Sequence, residues 1–462
     1  MHLLNKIPAF VLLLALLVFP ACKKEPNVNG GDDSKPNATQ QSVMAIGIDG
    51  VLDDWTAEPL AIDAKGDASG TFDLLSVWAQ AANGYLYVSF ELNNGTEFNL
   101  QNGVETDSSL FKLVIHQGDN SREIDFRNRQ FVDQSKPEQV IPWSEVGFTC
   151  LPTYASNRYE LQVKLETEDN DLKIEFSGSD SLDEPLAVPT YSNPKATAES
   201  NIERVAESDF RIGNLNTLNS GLADPQRGPT IHRMMAGVGA DIYTLQEEWK
   251  PKEFYTALKP LAAAIGVKRL NAKWSSGCAI ITKLPIEKLP TKLDRAIAGL
   301  IKLESGKHLV VISVHFKSRG HVDSREDGLR AQQAEQLVGE IKRMRAGEFG
   351  EKAKKASVVV IGDYNLVGSR KPVDILNKAG LQDQLFTNPV TRTAYTWRDD
   401  VTTFAPSRLD WFCHSGLEPL QTIVLDTGTL DNTTLEQNNL QKSDSTATDH
   451  LMLIGDFNIK GS

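Results

Sequence analysis

The chain has 462 residues, 40% of them hydrophobic and 24% charged, with a formal net charge of -13. That length exceeds what one hydrophobic core usually organises and that apolar share excludes a disordered chain, so two folded units with appendages are expected. The charge is uneven: 14 Lys and Arg stand against 30 Asp and Glu before residue 201, and 34 against 31 from there on, so the second half lacks the strong basic footprint of a dedicated nucleic-acid binder.

In chain order, Lys6 and the apolar stretch Ile7 to Phe19 lead into Pro20-Ala21-Cys22, with Lys23-Lys24 behind. The run is short for a membrane span and ends on a small residue, the pattern of a cleaved secretory signal. With Cys22 at its end, residues 1–22 resemble the signal peptide of a bacterial lipoprotein. That resemblance implies a lipid on Cys22, attachment to a membrane and a place in the bacterial cell envelope, periplasmic or surface exposed. Residues 23–43 are polar and rich in Asn, Gly, Asp and Pro, too poor in apolar area to order themselves, and read as a disordered tether. Cys150, Cys278 and Cys413 remain; their odd number permits at most one disulfide in a monomer, and buried thiols are the plainer expectation.

Residues 44–186 carry short alternating runs separated by Asp, Asn and Gly turns, among them Leu74-Leu75-Ser76-Val77-Trp78-Ala79, Tyr85-Leu86-Tyr87-Val88-Ser89-Phe90 and Phe111-Lys112-Leu113-Val114-Ile115. Period-two alternation of aromatic and β-branched residues predicts an antiparallel β-sandwich. The opening Ile48-Asp49-Gly50-Val51-Leu52-Asp53-Asp54-Trp55 is similar to family 9-like carbohydrate-binding modules, which implies a polysaccharide partner. Asp63, Asp67 and Asp73 could offer hard oxygen ligands to Ca²⁺, or simply shape tight turns. Residues 187–207 read as a linker that few contacts should cross.

From residue 208 to 462 continuous apolar runs alternate with helical patterns. Val310 to Val314 and Val358 to Ile361 read as strands covered on both faces. Between them, Leu329, Ala334, Leu337, Val338, Ile341 and Met344 fall near one helical face, with Gly347 ending the run. Polar signatures stand on or just after the apolar runs: Arg211-Ile212-Gly213-Asn214-Leu215-Asn216, Asp241 to Glu247, Val314-His315-Phe316-Lys317-Ser318, Gly362-Asp363-Tyr364-Asn365, Ser407-Arg408-Leu409-Asp410 and Thr448-Asp449-His450.

In order and placement these signatures resemble the endonuclease/exonuclease/phosphatase family, whose members include nucleases, sphingomyelinases and phosphatases. The resemblance implies an α/β fold, a four-layer sandwich of two mixed β-sheets flanked by helices, preceded here by the antiparallel β-sandwich module. It implies a monomeric, Mg²⁺-dependent phosphoester hydrolase, with Mn²⁺ as an alternative ion, working by metal-activated in-line attack of water. Glu247, Asn216 and Asp449 match the metal site; Asp363 and Asn365 match the groups that orient water and phosphoryl oxygens; His450 would face the scissile phosphate with Asp410 behind it. His315 matches a histidine beside the leaving group, although Arg295-Ala296-Ile297 carries no carboxylate to partner it. Lys317, Arg319, Arg325 and Arg330 follow closely enough to meet substrate phosphates. The substrate classes left open are nucleic acid, a phospholipid head group or a small organic phosphate. A phosphodiesterase or nuclease leads, with a phosphomonoesterase on a sugar or inositol phosphate, or a non-catalytic envelope binding lipoprotein, as alternatives.

Overall fold

The computed structural model describes residues 46–70, 72–93, 99–100, 111–166, 171–191 and 200–460. Cys22 and the 23–43 tether lie outside the described residues.

Alternation becomes a sandwich in the first half. Along Phe111–Gln117 every second residue is buried, so Phe111, Leu113 and Ile115 face inward. One sheet orders Ala61–Ile62, Leu74–Ala82, Tyr85–Leu92, Arg158–Lys164 and Thr149–Leu151, with Thr190–Tyr191 running parallel beside Leu74–Ala82. The other orders Leu186–Ala187, Leu172–Gly178, Phe111–Gln117, Asn120–Asp125 and Gln130–Asp133. Phe72 stacks on Phe111 at 4.8 Å, and Phe176 meets Phe90 and Phe111 at 5.4 and 5.5 Å, so aromatic rings fill the space between the sheets.

The second half builds two six-stranded mixed sheets. The first orders Asn271–Ser275, Cys278–Thr282, Ile242–Gln246, Phe210–Asn216, Met452–Ile459 and Leu417–Leu425; the second orders Ile286–Lys288, Ala296–Lys302, His308–His315, Ser357–Asp363, Asp410–Ser415 and Gln382–Asp383. Each has one parallel pair at its centre, Phe210–Asn216 with Ile242–Gln246 and His308–His315 with Ser357–Asp363. Ile212, Ile280, Val311, Val359, Ile361 and Phe412 pack between the sheets. The Gly228–Val238 and Pro251–Ile265 helices cover one outer face, and Arg325–Arg345 and Lys371–Lys378 the other, which gives the four layers. Ser324 caps the Arg325–Arg345 helix by accepting from Asp327 N, and Gly347 follows its end at φ 92°. Ala334, Leu337, Ile341 and Met344 bury as expected, but Asp327 and Arg330 take the buried positions of the first two turns in place of Leu329.

The sandwich and the two-sheet domain share a joint, unlike the expectation drawn from the linker's composition. The contacts come from elsewhere: Ile48 pairs with Thr393, and Ile46, Ile48, Leu151 and Ala394 form a small core against which Trp55, Tyr87 and Leu385 pack. Glu160 fixes the segment that makes this joint. Its Oε1 accepts from Asp49 N at 2.7 Å and Gly50 N at 2.6 Å, and its Oε2 from Trp55 Nε1 at 2.9 Å. Burial lifts its carboxyl from 4.5 to about 8, against those hydrogen bonds.

Glu160→Gln keeps an acceptor for the backbone amides but sets an NH₂ group against the Trp55 donor, so it should cost about 1–3 kcal/mol in chemical denaturation. Because the carboxyl titrates higher folded than unfolded, its contribution is fully present below about 4.5 and falls away as pH rises towards 8. The stability gap between wild type and variant should narrow across that range; a gap independent of pH would contradict the assignment.

Candidate active site

Five strands carry the same change along their inward faces. With period two, the inward column runs Ile212, Asn214, Asn216 on one strand and Ile242, Thr244, Gln246 on the next. On the opposite sheet it runs Val311, Ser313, His315, then Ile361, Asp363, and then Phe412, Asp410 on the antiparallel neighbour. The apolar core between the sheets therefore turns polar at one end. Register sets His315 opposite Asp363 and Asp363 opposite Asp410, one row across three strands.

The groups at this end are tightly connected. Asn216 Nδ2 donates to Asp363 Oδ2 at 3.1 Å and to Glu247 Oε1 at 3.3 Å, and Glu247 Oε2 accepts from Asn219 N at 3.0 Å. Glu247 stands at φ 61° and Asn365 at φ 50°, left-handed backbone that non-glycine residues adopt only where surrounding structure holds it. Asp363 Oδ1 accepts from Asn365 N at 2.9 Å, and Asn365 Nδ2 donates to Phe316 O. His450 Nδ1 bonds Asp410 Oδ2 at 2.7 Å, which leaves Nε2 3.9 Å from Asp363 Oδ2. Asp449 Oδ2 accepts from Trp397 Nε1 at 2.9 Å, and Thr448 Oγ1 donates to Asn216 O at 2.8 Å. All eight residues matched to the metal and catalytic positions thus gather at one end of the sandwich.

Charge follows the same geometry. Burial alone would push His450 down, but the Asp410 charge and hydrogen bond, with Asp363 and Asp449, raise it to about 10. Burial raises Asp363 above the usual carboxylate range, the His450 charge opposing it and Asp410 reinforcing it. Burial, then the Arg295 guanidinium, hold His315 down to about 2. Arg295 Nη2 lies 2.7 Å from Nδ1 and 2.8 Å from Nε2, and Nε2 also stands 3.4 Å from Asp363 Oδ2 and 3.9 Å from Glu247 Oε1. Burial and the Arg295 charge both disfavour the charged imidazole, which argues against His315 as the proton donor.

The cations behind His315 divide. Arg319 lines a cleft of about 490 Å³ together with Glu247, His315, Asp363, Trp397 and Phe404. Lys317 is half-buried, its backbone N–H bonded to Gln333, and Arg325 is exposed at the helix start. Arg330 does not meet the cleft. At 0% exposure its guanidinium donates to Lys317 O and Arg319 O and to Asp327 Oδ1, so it ties the loop to the helix. A larger cavity of about 880 Å³ lies between the Gly228–Val238 and Pro251–Ile265 helices, lined by Leu222, Pro229, Ala257 and Pro260 together with Asp224, His232 and Glu253.

In the sandwich, Asp63 and Asp67 come within 4.8 Å of one another and of Asp180, not of Asp73. Asp73 accepts from Gly66 N and Asn93 Nδ2 and so shapes the turn. Cys150, Cys278 and Cys413 are buried thiols.

Three contributors were not singled out from the sequence. Asn214 Nδ2 donates to Asp410 Oδ1, while its own Oδ1 accepts from Thr244 and Gln246. Its place two residues before Asn216 was the available signal. Arg295 reaches His315 through the Ala296–Val314 pairing. Trp397 bonds Asp449 from a loop that no local pattern places.

Gly362 makes the row possible. It stands at φ 149°, and a Cβ there would lie 2.0 Å from Val314 O, which is backbone and cannot give way. Gly362→Ala should therefore cost about 3 kcal/mol or more in denaturation and part His315 from Asp363; an unchanged melt would contradict this close approach.

Against known proteins, no curated sequence matches. Among solved structures, ANGEL2, a 2′,3′-cyclic phosphatase, aligns at 16% identity and TM-score 0.36, covering 54% of this chain and 94% of that one. The AP endonuclease LMAP from Leishmania major aligns at 9% identity and TM-score 0.38, covering 55% and 88%. The sequence profile of the Endonuclease/Exonuclease/phosphatase family matches residues 213–450. It opens on the strand that carries Asn214 and Asn216, closes on His450 and takes in the whole cleft and over half of the sequence, so the chain belongs to that family.

Proposed function

We propose that this protein is a Mg²⁺-dependent hydrolase of phosphate esters, acting on a phosphodiester or nucleic-acid backbone. The observation that carries the reading is the sharing of one Asn216 amide by two carboxylates from different sheets, Glu247 and Asp363. Two acids held so close at a buried end suit a site completed by a cation.

Glu247, Asn216 and Asp449 form a hard oxygen and amide donor set that fits Mg²⁺, which needs only one or two carboxylates and keeps several waters; Mn²⁺ fits the same set. When bound, such an ion would supply charge neutralisation at a phosphoryl oxygen and acidify a bound water. The chain's own groups do the rest. Asp363, buried and fixed by Asn216 and Asn365 N, orients the attacking water and takes its proton. His450, turned by Asp410 so that Nε2 faces Asp363, donates to the phosphoryl oxygen that gains charge. Neutral His315, against Arg295, orients the ester on the leaving-group side, and Arg319 adds a cation at the rim. The sequence also supports a lipid on Cys22 and a place in the bacterial envelope: a fatty-acid probe should label wild type and not Cys22→Ser, and equal labelling would remove the anchor.

Glu247→Ala and Asp363→Ala should each abolish Mg²⁺-stimulated hydrolysis of bis-p-nitrophenyl phosphate with little change in the thermal melt. A fully active Glu247→Ala protein would remove the metal assignment. Turnover of p-nitrophenyl phosphate without the diester would favour the monoesterase alternative, and plasmid DNA and sphingomyelin arms separate backbone from head-group substrates.

Asp410 and His450 should act as one unit. Asp410→Asn should lower kcat/KM by about 10²-fold, and adding His450→Ala should lower it little further. Additive losses in the double-mutant cycle would show that His450 is held in place by something other than Asp410.

A further inference from the structure

The cleft has two kinds of wall. Glu247, Asp363 and His450 stand on or beside sheet strands, whereas Arg319, His321, Val367 and Phe404 stand on loops without regular structure and Ser407 on an isolated bridge to Trp397. Ordering such loops costs conformational entropy, and a loop keeps a binding geometry only when something rigid holds it. In this protein much of what holds them comes from the β-sandwich.

Asn99 of the sandwich is fully buried and bridges the two loops that follow His315 and Asn365. Its Oδ1 accepts from Val322 N at 2.7 Å, and its Nδ2 donates to Gly368 O at 3.1 Å and Thr153 O at 3.4 Å. Ala155 N donates to the same Gly368 O at 2.7 Å. Gly368 leaves no slack on its other side, because a Cβ there would lie 2.3 Å from Asp327 Oδ1 and 2.4 Å from Arg330 Nη2.

On the far wall, the segment from Arg398 to Arg408 is held in the same manner. Trp143 Nε1 donates to Thr403 O at 3.0 Å, Ser144 Oγ to Asp400 Oδ2 at 2.7 Å, and Arg408 N to Thr153 Oγ1 at 2.9 Å. The Arg129 guanidinium lies 4.3 Å over the Phe404 ring. Ala405 belongs to the sandwich's own hydrophobic core, buried with Phe90, Phe131 and Trp143.

We propose that the β-sandwich is a positioning element of the active site: Asn99, Trp143 and Arg129 set the two loop walls of the cleft, so substrate affinity depends on a module that contributes no reacting group. The proposal rests on reading the cleft as the phosphoester site. Asn99 and Trp143 are positioning residues, acting through Val322, Gly368 and Thr403.

The test uses the full chain and two readouts. Asn99→Ala should raise KM for bis-p-nitrophenyl phosphate about tenfold, the scale of a lost pair of hydrogen bonds, while kcat changes far less. Asn99→Asp keeps the acceptor for Val322 N but sets a carboxylate oxygen against Gly368 O and Thr153 O, so it should raise KM at least as much as Asn99→Ala. Trp143→Phe keeps an aromatic ring against Phe148 while removing the donor to Thr403 O and part of the indole's bulk, so it should act through the far wall. By hydrogen exchange, amides 317–323 and 366–370 should open faster in Asn99→Ala, and amides 398–408 in Trp143→Phe, with the strands Phe210–Asn216 and Ser357–Asp363 as protected as in wild type. If wild type hydrolyses none of the esters, the functional reading fails and exchange alone decides whether the sandwich holds the loops. Unchanged loop exchange, or faster exchange throughout the sheets, would overturn the proposal. So would a fall in kcat at constant KM.

Discussion

The bond from Asn216 to both Glu247 and Asp363 depends on the packing of the whole catalytic half. It joins a carboxylate on a neighbouring strand end to a carboxylate on the opposite sheet. It can form only if the two sheets pack face to face with their strand ends level. Apolar packing among Ile212, Val311, Val359 and Phe412 sets that spacing, and the polar end takes its position from the apolar middle. Burying acids without full pairing is costly. The site therefore draws on stability that the layers of packed side chains supply.

The two ends of the same strand show how differently charge is treated. Arg211, at the start of Phe210–Asn216, gives Asp456 two hydrogen bonds, at 2.7 Å from Nε and 2.8 Å from Nη2, and adds Ile202 O and Val238 O at 2.9 and 3.1 Å. That pair is fully enclosed and neutral, so it closes the far end of the sheet; removing one partner would leave a buried charge alone. Five residues on, Asn216 faces acids that outnumber the cations beside them. The signature from Arg211 to Asn216 thus holds a structural pair and a functional amide.

Much of this was legible because periodicity carries it. A continuous apolar run that ends in an acid marks a covered strand opening at a sheet edge, as at Glu247 and Asp363, whereas Asn216 and Asp410 were legible only through the resemblance of their signatures to the family. What periodicity does not encode is which way a long cation turns. Arg330 reads as a substrate contact from its distance to His315, yet it is buried under the loop because Asp327 and two carbonyls receive it. The Asp180 approach to Asp63 and Asp67 spans more than a hundred residues and leaves no local trace. The joint between the modules was equally silent. Many of its partners are backbone carbonyls and amides, such as Thr403 O and Gly368 O, which every residue possesses and no side-chain pattern announces.

Ala405 in the core of the sandwich has a temporal side as well. In a chain synthesised from its N-terminus, domains generally fold in order as they emerge. Most of the sandwich can form while the segment from Arg398 to Arg408 has yet to be made, its core lacking only Ala405 from that segment, so the segment reaches a surface already begun. The earlier module then serves as a mould for the later one, and the mouth of the cleft is cast against it before the last strand, Met452–Ile459, closes the sheet beside Phe210–Asn216.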